Sequence, residues 1–367
     1  MRILFLISSS ILSLTVAYFD INSQTEFDLG ILYLIPTLAV SSFLGIRYGF
    51  IFAAFNVFIE NLNLILTEKF SLFSADFIAF TIMRIVVYFF TSFLVAKISD
   101  GAEEVENYAN KLKKAMDKME WDINSAALLQ AGLITPKTPK IDGLDISARL
   151  SYSEWVGGDY LDVRKINGKL FFCIGDVSGK GVQAALFTAA LKNLLNQIVT
   201  TSSTPSEVLC YLNSELGGFM PTEMFVTMFC GFIDTERMKL IYASAGHDSQ
   251  LLLKSSGEIK RLQTTGTILS LMEDLIINDR SIDLDEGDLL FFFTDGALDV
   301  PRPEGRPGIE GVEKLLIAYN SNSAKETLDN VFLALVSDVE RYSRDDITLI
   351  CIKILQKTNP SKEILEW

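Results

Sequence analysis

Four aspartates sit where an apolar, strand-like run gives way to a turn. Asp176 follows Phe172-Cys173-Ile174-Gly175 and leads into Val177-Ser178-Gly179-Lys180-Gly181. Asp159 follows Val156-Gly157-Gly158, Asp295 ends the run Phe291-Phe292-Phe293-Thr294, and Asp345-Asp346 opens Ile347-Thr348. Each arrangement places a carboxylate at the rim of a sheet, beside backbone that glycine leaves free to turn. Carboxylates from separate strand ends can converge on hard divalent cations, Mg²⁺ or Mn²⁺, which take oxygen ligands. The chain has one histidine, His247, and neither a CxxC nor an HExxH pattern, so its residue set does not suit zinc.

The elements around Asp176 are legible locally. Leu170 to Ile174 forms a short apolar strand, Asn167-Gly168 before it signals a hairpin turn, and the strand is expected to end at Asp176. From Val182 through Ile198 the pattern turns helical, which sets the glycine-rich loop at a helix N-terminus, a place that favours anions. On this segment alone a plain turn remains an open alternative.

Five elements in order carry a resemblance: Gly157-Gly158-Asp159, Gly175-Asp176-Val177-Ser178-Gly179-Lys180-Gly181, Ser244-Ala245-Gly246-His247, Thr294-Asp295-Gly296 and Asp345-Asp346-Ile347-Thr348. Residues from about 122 to 356 resemble the catalytic domain of the metal-dependent serine/threonine phosphatases of the type 2C superfamily, in the bacterial branch typified by SpoIIE and RsbU. Strand runs enclosing helices in separate blocks fit an α+β layered domain, and the resemblance implies two antiparallel sheets stacked as a sandwich and flanked by helices. It implies two divalent cations, Mn²⁺ or Mg²⁺, bridged by Asp176 with the backbone carbonyl of Val177, while Asp295 and Asp345 complete the second ion's ligands and Asp159 takes the outer acidic position. A water activated between the two ions would then attack phosphorus in line. Asp346, Asp162 and Ser178 fall at positions beside the ligands, and Asp299 matches an acidic position less specifically. His247 reads as structural in its apolar turn, and Lys180 between glycines as solvated or touching phosphate.

The sequence also departs from the wider superfamily. Ser178 stands where many members carry a histidine thought to protonate the leaving group, and the arginine that grips phosphate in them has no counterpart. Thr267-Ile268-Leu269-Ser270 lacks the proline and glycine expected in that loop. The substrate implied is a phosphorylated anti-anti-sigma protein of the STAS kind. The competing class is a non-catalytic membrane receptor or scaffold that uses a phosphatase-like domain to bind a partner; four intact acidic positions argue against it.

Ahead of this domain the chain is strongly apolar. Ile3–Phe19, Leu29–Ile46, Gly49–Leu66 and Phe77–Ala96 are runs of near-spanning length, so residues 1–98 read as a membrane region of about four helices. Asp20, Glu26, Asp28, Glu68 and Lys69 fall in loops on one side, and Arg2, Arg47 and Lys97 on the other. That charge bias puts both termini and the catalytic domain in the cytoplasm of a bacterial cell whose inner membrane holds the chain. Thr15-Val16-Ala17 offers an alternative, a cleaved signal peptide, which leaves the domain in the same compartment. Within the runs Glu60 and Arg84 invite pairing or a ligand pocket, and Pro36 a tolerated kink.

Residues 99–135 turn charged and helical. Val105, Leu112, Met119, Ala126 and Leu133 recur every seven residues, with Ala109, Met116, Ile123 and Gln130 in the complementary positions. This is a coiled-coil stripe with Gln130 on its seam, where it would set register, and it predicts a parallel homodimer. Residues 136–357 form the phosphatase-like domain and 358–367 a tail. Strands are expected at Leu144–Leu150, Leu161–Ile166, Leu170–Ile174, Met224–Ile233, Leu240–Ala245, Gln250–Lys254, Leu289–Phe293 and Ile347–Ile354. Helices are expected from Val182 and Pro205, near Glu310–Tyr319 and over Ala324–Arg341. The four cysteines lie in apolar segments without paired spacing and read as core residues. A net charge of −14 without a basic stripe speaks against nucleic acid as partner.

Overall fold

A computed structural model of the chain describes residues 2–22, 29–67, 74–135, 137–199, 204–221, 223–301, 305–337 and 345–356. It divides into two compact units, Met1–Lys118 and Met119–Trp367. Glu26, Asp28, Glu68, Lys69, the end of the helix expected to reach Arg341, and the tail lie outside the described residues.

The first unit contains helices α1 (Arg2–Asn22), α2 (Leu34–Leu44) and α3 (Ile46–Leu66) and the start of α4 (Ala75–Ile134). Helices α1, α3 and α4 are long and apolar enough to cross a membrane. The second apolar run, expected as a span, is instead a 3-10 turn (Leu29–Tyr33) followed by the 11-residue α2, which Gly45 ends at φ 86°. Pro36 explains the short helix. It sits in the first turn of α2, where a missing N–H costs nothing, and so begins this helix rather than kinking a longer one.

Polar groups in this unit find each other. Arg84 Nε lies 3.0 Å from Glu60 Oε1, and the Tyr88 hydroxyl donates to Glu60 Oε2 at 2.9 Å. Arg84 also donates to Asn61 at 3.4 Å, and the buried Asn56 amide donates to Thr37 at 2.6 Å and to the Tyr33 carbonyl at 3.2 Å. The pairing read from Glu60 and Arg84 is therefore present, as a buried ion pair on adjacent helices.

The second unit is an antiparallel sandwich. Its strands are β1 (Leu144–Ser151), β2 (Asp159–Ile166), β3 (Lys169–Val177), β4 (Val226–Asp234), β5 (Lys239–Ala245), β6 (Gln250–Leu253), β7 (Ile259–Leu262), β8 (Arg280–Asp283), β9 (Leu289–Phe293) and β10 (Ile347–Ile354). One sheet runs β1-β10-β9-β6-β7 and the other β2-β3-β4-β5-β8. Helices α5 (Gly181–Ile198) and α6 (Pro205–Gly217) cover the second sheet, and α7 (Gly308–Tyr319) and α8 (Ala324–Val336) the first.

Side-chain alternation builds three cores from these layers. Phe172, Phe229 and Phe292 meet between the sheets, Phe172 and Phe292 with ring centroids 4.5 Å apart. Phe291 and Phe293 point the other way, into the core beneath α7 and α8. Strands buried on both faces read as unbroken apolar runs, which is why β3 and β9 are plain in the sequence. The edge strands β7 and β8 escaped notice because Lys260, Arg261, Arg280 and Asp283 break the apolar pattern, as charges commonly do on exposed edges.

Candidate active site

The site begins with a turn. Asn167 (φ 48°) and Gly168 (φ 83°) join β2 to β3 in the left-handed conformation that suits a two-residue hairpin. Ile166 therefore pairs with Lys169, and counting back along both strands sets Asp159 directly opposite Asp176. Residues opposite one another in a ladder share a face, here the one turned toward the other sheet. Strand β3 does not stop at Asp176 as expected. Pairing with β4 continues through Asp176↔Thr227 and Val177↔Val226, so two neighbouring strands hold Asp176.

The other sheet supplies the rest. Asp159 is buried, and its Oδ2 accepts from Thr294 Oγ1 at 2.8 Å and Thr348 Oγ1 at 2.6 Å. The Thr294 N–H donates to the Thr348 carbonyl at 3.2 Å and the Thr348 N–H donates to Thr294 Oγ1 at 3.1 Å, which fixes the chain entering Asp295 and leaving Asp345-Asp346. Asp345 pairs with Lys180 (Nζ to Oδ1 3.3 Å), the residue that precedes α5. Asp346 Oδ1 accepts from the Ser153 N–H at 2.7 Å and its hydroxyl at 3.0 Å, which ties the loop before β2 to the start of β10.

Two glycines make room for this crowding. A Cβ on Gly157 would come within 1.8 Å of the Asp346 carboxylate, and one on Gly158 within 2.4 Å of the Val177 carbonyl oxygen and 3.0 Å of Asp176 Oδ1. Only bare backbone can pass there. The space left is a cavity of about 150 Å³ lined by Ser153, Glu154, Val156 to Gly158, Asp176, Gly179 to Gly181, Asp345 and Asp346.

Electrostatics mark the cluster as only partly neutralised by Lys180. Burial, then Asp295, Asp345 and Asp346, push the Asp176 carboxyl up to about 8. Asp159 is raised well above the ordinary range by burial and by Asp176. Burial and Asp345 raise Asp295. All donors are carboxylate or carbonyl oxygens, a set that fits a hard divalent cation, and a cation here would relieve the repulsion. As the side chains stand, among the described residues no three histidine, cysteine or acidic groups close on one point.

The remaining sequence candidates divide. Asp162 is not brought to the cluster: it lies on the opposite face of β2, where its carboxylate meets Arg164 and, at 3.2 Å, Lys192. The Ser178 hydroxyl accepts the Phe225 N–H at 2.8 Å and anchors the glycine loop to the entry of β4. His247 is buried between Thr227 (2.9 Å from Nδ1) and the Phe293 carbonyl (3.3 Å from Nε2), and burial lowers its pKa to about 4, as a neutral structural imidazole requires. Asp299 pairs with Arg306 at 3.1 Å and lies near enough to Asp295 to raise it. Asp248 was overlooked, although it too raises Asp295. It follows His247 at the end of β5, so the strand-end logic that found Asp295 applied to it as well.

Comparison with known proteins agrees with this geometry. The sequence profile of the stage II sporulation protein E family (SpoIIE) matches residues 166–355. The phosphoserine phosphatase RsbU of Bacillus subtilis is 28% identical over 243 residues, which cover 66% of this chain and 72% of RsbU. Protein IcfG of Synechocystis is 27% identical over 276 residues, again 66% of this chain but 43% of IcfG, so the chain spans under half of that relative. The structure of the PP2C phosphatase domain of Bacillus subtilis SpoIIE with a fragment of its regulatory domain superposes with a TM-score of 0.52, covering 59% of this chain and 64% of that one; at 18% identity it speaks for the fold. Two antiparallel sheets with flanking helices, and a profile match over half the sequence, place the chain in the SpoIIE family of PP2C-type phosphatases.

Proposed function

We propose that this chain is a membrane-tethered, metal-dependent protein phosphatase that hydrolyses phosphoserine or phosphothreonine on a signalling protein, of the anti-anti-sigma STAS kind. The observation that carries the reading is the pairing of Asp159 with Asp176 across β2 and β3, with Asp295 and Asp345 arriving from the other sheet. Asp176 with the Val177 carbonyl, Asp295 and Asp345 are the residues to hold two Mn²⁺ or Mg²⁺ ions, and Asp159 takes the outer position. Held there, such ions would acidify a water and neutralise phosphoryl oxygens.

The chain's own residues do the positioning. Thr294 and Thr348 orient the Asp159 carboxylate, and Ser153 orients Asp346. Gly179 (φ 101°) and Gly181 (φ 71°) shape the turn into α5, and with Lys180 they line the cavity at that helix N-terminus, a place that suits an anion. The similarity to RsbU, named a phosphoserine phosphatase, supports the substrate class. Apolar α1, α3 and α4 support a bacterial inner-membrane location with the catalytic unit in the cytoplasm, and the heptad stripe on α4 supports a homodimer.

The test is phosphate release from a phosphoserine STAS protein by the full chain in lipid nanodiscs, with Mn²⁺ or with chelator. Turnover that needs Mn²⁺ and falls by at least about a hundredfold in Asp176→Asn and in Asp295→Asn is expected, since even groups behind metal ligands are worth about ten- to a hundredfold. A folded protein that binds the STAS protein without releasing phosphate would point to the scaffold instead.

A further inference from the structure

Gln130 lies on the heptad stripe, yet it is buried against its own catalytic unit at 4% exposure. Its Nε2 donates to the Gly157 carbonyl at 2.8 Å and to Thr188 Oγ1 at 3.0 Å, and its Oε1 accepts the Gly157 N–H at 3.3 Å. The carboxamide thus satisfies both backbone groups of Gly157, as a neighbouring strand would. The Thr188 hydroxyl donates to the Ala185 carbonyl at 2.7 Å, so its oxygen is free to accept. One side chain at the end of α4 therefore ties together α5, which starts at the glycine loop, and the Gly157-Gly158 wall of the cavity.

That wall has no slack. On its other side Gly157 abuts the Asp346 carboxylate, and Gly158 abuts the Val177 carbonyl and Asp176. A shift of this backbone by a fraction of an ångström in either direction alters the spacing of the oxygens proposed as metal ligands. We propose that Gln130 is a positioning residue for the metal site: its carboxamide clamps Gly157, so that cation affinity depends on whether the last turn of α4 is seated. This rests on the metal-dependent reading above and adds the residue that couples the linker helix to it. Gln130 cannot be seated here and also lie on a coiled-coil seam, so rotation of α4 about its axis exchanges one state for the other, and a signal that favours either shifts the population.

The experiment measures Mn²⁺ binding directly, from the electron paramagnetic resonance signal of free Mn²⁺, by the full chain in lipid nanodiscs. Gln130→Leu fills the same volume and removes all three bonds. Its Mn²⁺ dissociation constant is expected to rise about tenfold, with turnover at saturating Mn²⁺ close to that of wild type. Thr188→Val should rise less, and Thr188→Ser, which keeps the hydroxyl, should match wild type. A merely structural role would lower thermal stability and leave the dissociation constant of the folded fraction unchanged. That result in Gln130→Leu, or in Thr188→Val should the first variant not fold, overturns the proposal. Wild type that binds no Mn²⁺ overturns the metal reading itself, and this proposal with it, so the two failures are told apart.

Discussion

At the scale of single residues, the site is organised by repulsion held in check. Asp176 keeps its proton to about 8 because burial and three further carboxylates oppose its charge. In an unfolded chain the same carboxyl ionises in the ordinary range, so between about pH 4 and pH 8 the folded protein holds a proton that the unfolded one releases. With chelator present, this group's contribution to stability is complete below the ordinary range and is lost as pH rises through about 8. Asp176→Asn, which cannot ionise, is therefore expected to melt above wild type at pH 8 in chelator, with the gap closing by pH 5; calorimetry at both pH values checks this, and an equal gap at both would refute it. His247 stays out of the chemistry, because a buried imidazole with a pKa near 4 has no proton to give near neutrality.

At the scale of elements, α4 carries two different faces along one stripe. Val105, Leu112, Met116 and Met119 are more than 60% exposed, whereas Gln130 on the same stripe is buried. Apolar side chains recurring every seven residues on a solvated face are what a second copy would cover. Leu112→Glu with Met116→Glu is expected to convert the detergent-solubilised dimer to monomer in light scattering while leaving the fold of the catalytic unit intact by near-ultraviolet circular dichroism. An unchanged mass would remove the stripe as the dimer seam. Heptad periodicity was legible without coordinates, yet the assignment of Gln130 to the seam was not right for this structure. Periodicity locates a face of a helix but does not say what covers it.

At the scale of the whole molecule, an apolar helical unit and an acidic catalytic unit share one chain. If α1, α3 and α4, which are long and apolar enough to cross a membrane, span it as proposed, they cannot leave the bilayer without exposing apolar surface to water, whereas a peripherally bound protein detaches when its charges are screened. The chain is therefore expected to stay in the membrane pellet through high salt and alkaline carbonate and to be released by detergent. Appearance in the soluble fraction after either wash would contradict the membrane tether. The second apolar run is the exception within this unit, since α2 and its 3-10 turn together rise only about 27 Å, by the usual rises per residue, close to but short of the hydrocarbon core.

The sequence by itself determined the α+β class, most strand and helix positions, and the motifs that carry Asp159, Asp176, Asp295 and Asp345. These follow from local causes: alternation or continuity of apolar residues, Asn-Gly and Gly-rich turns, and aspartates at strand ends. Only the tertiary structure decided which carboxylates share a face. Asp159 and Asp162 are three residues apart on one strand, so the period of two sends them to opposite sides, and the β2–β3 register then puts Asp159 opposite Asp176. It also decided that Asp159 is held by threonines far along the chain, and that Gln130 is seated against Gly157. Those contacts join residues distant in sequence, and their partners are chosen by how the sheets and helices stack, which no local pattern records.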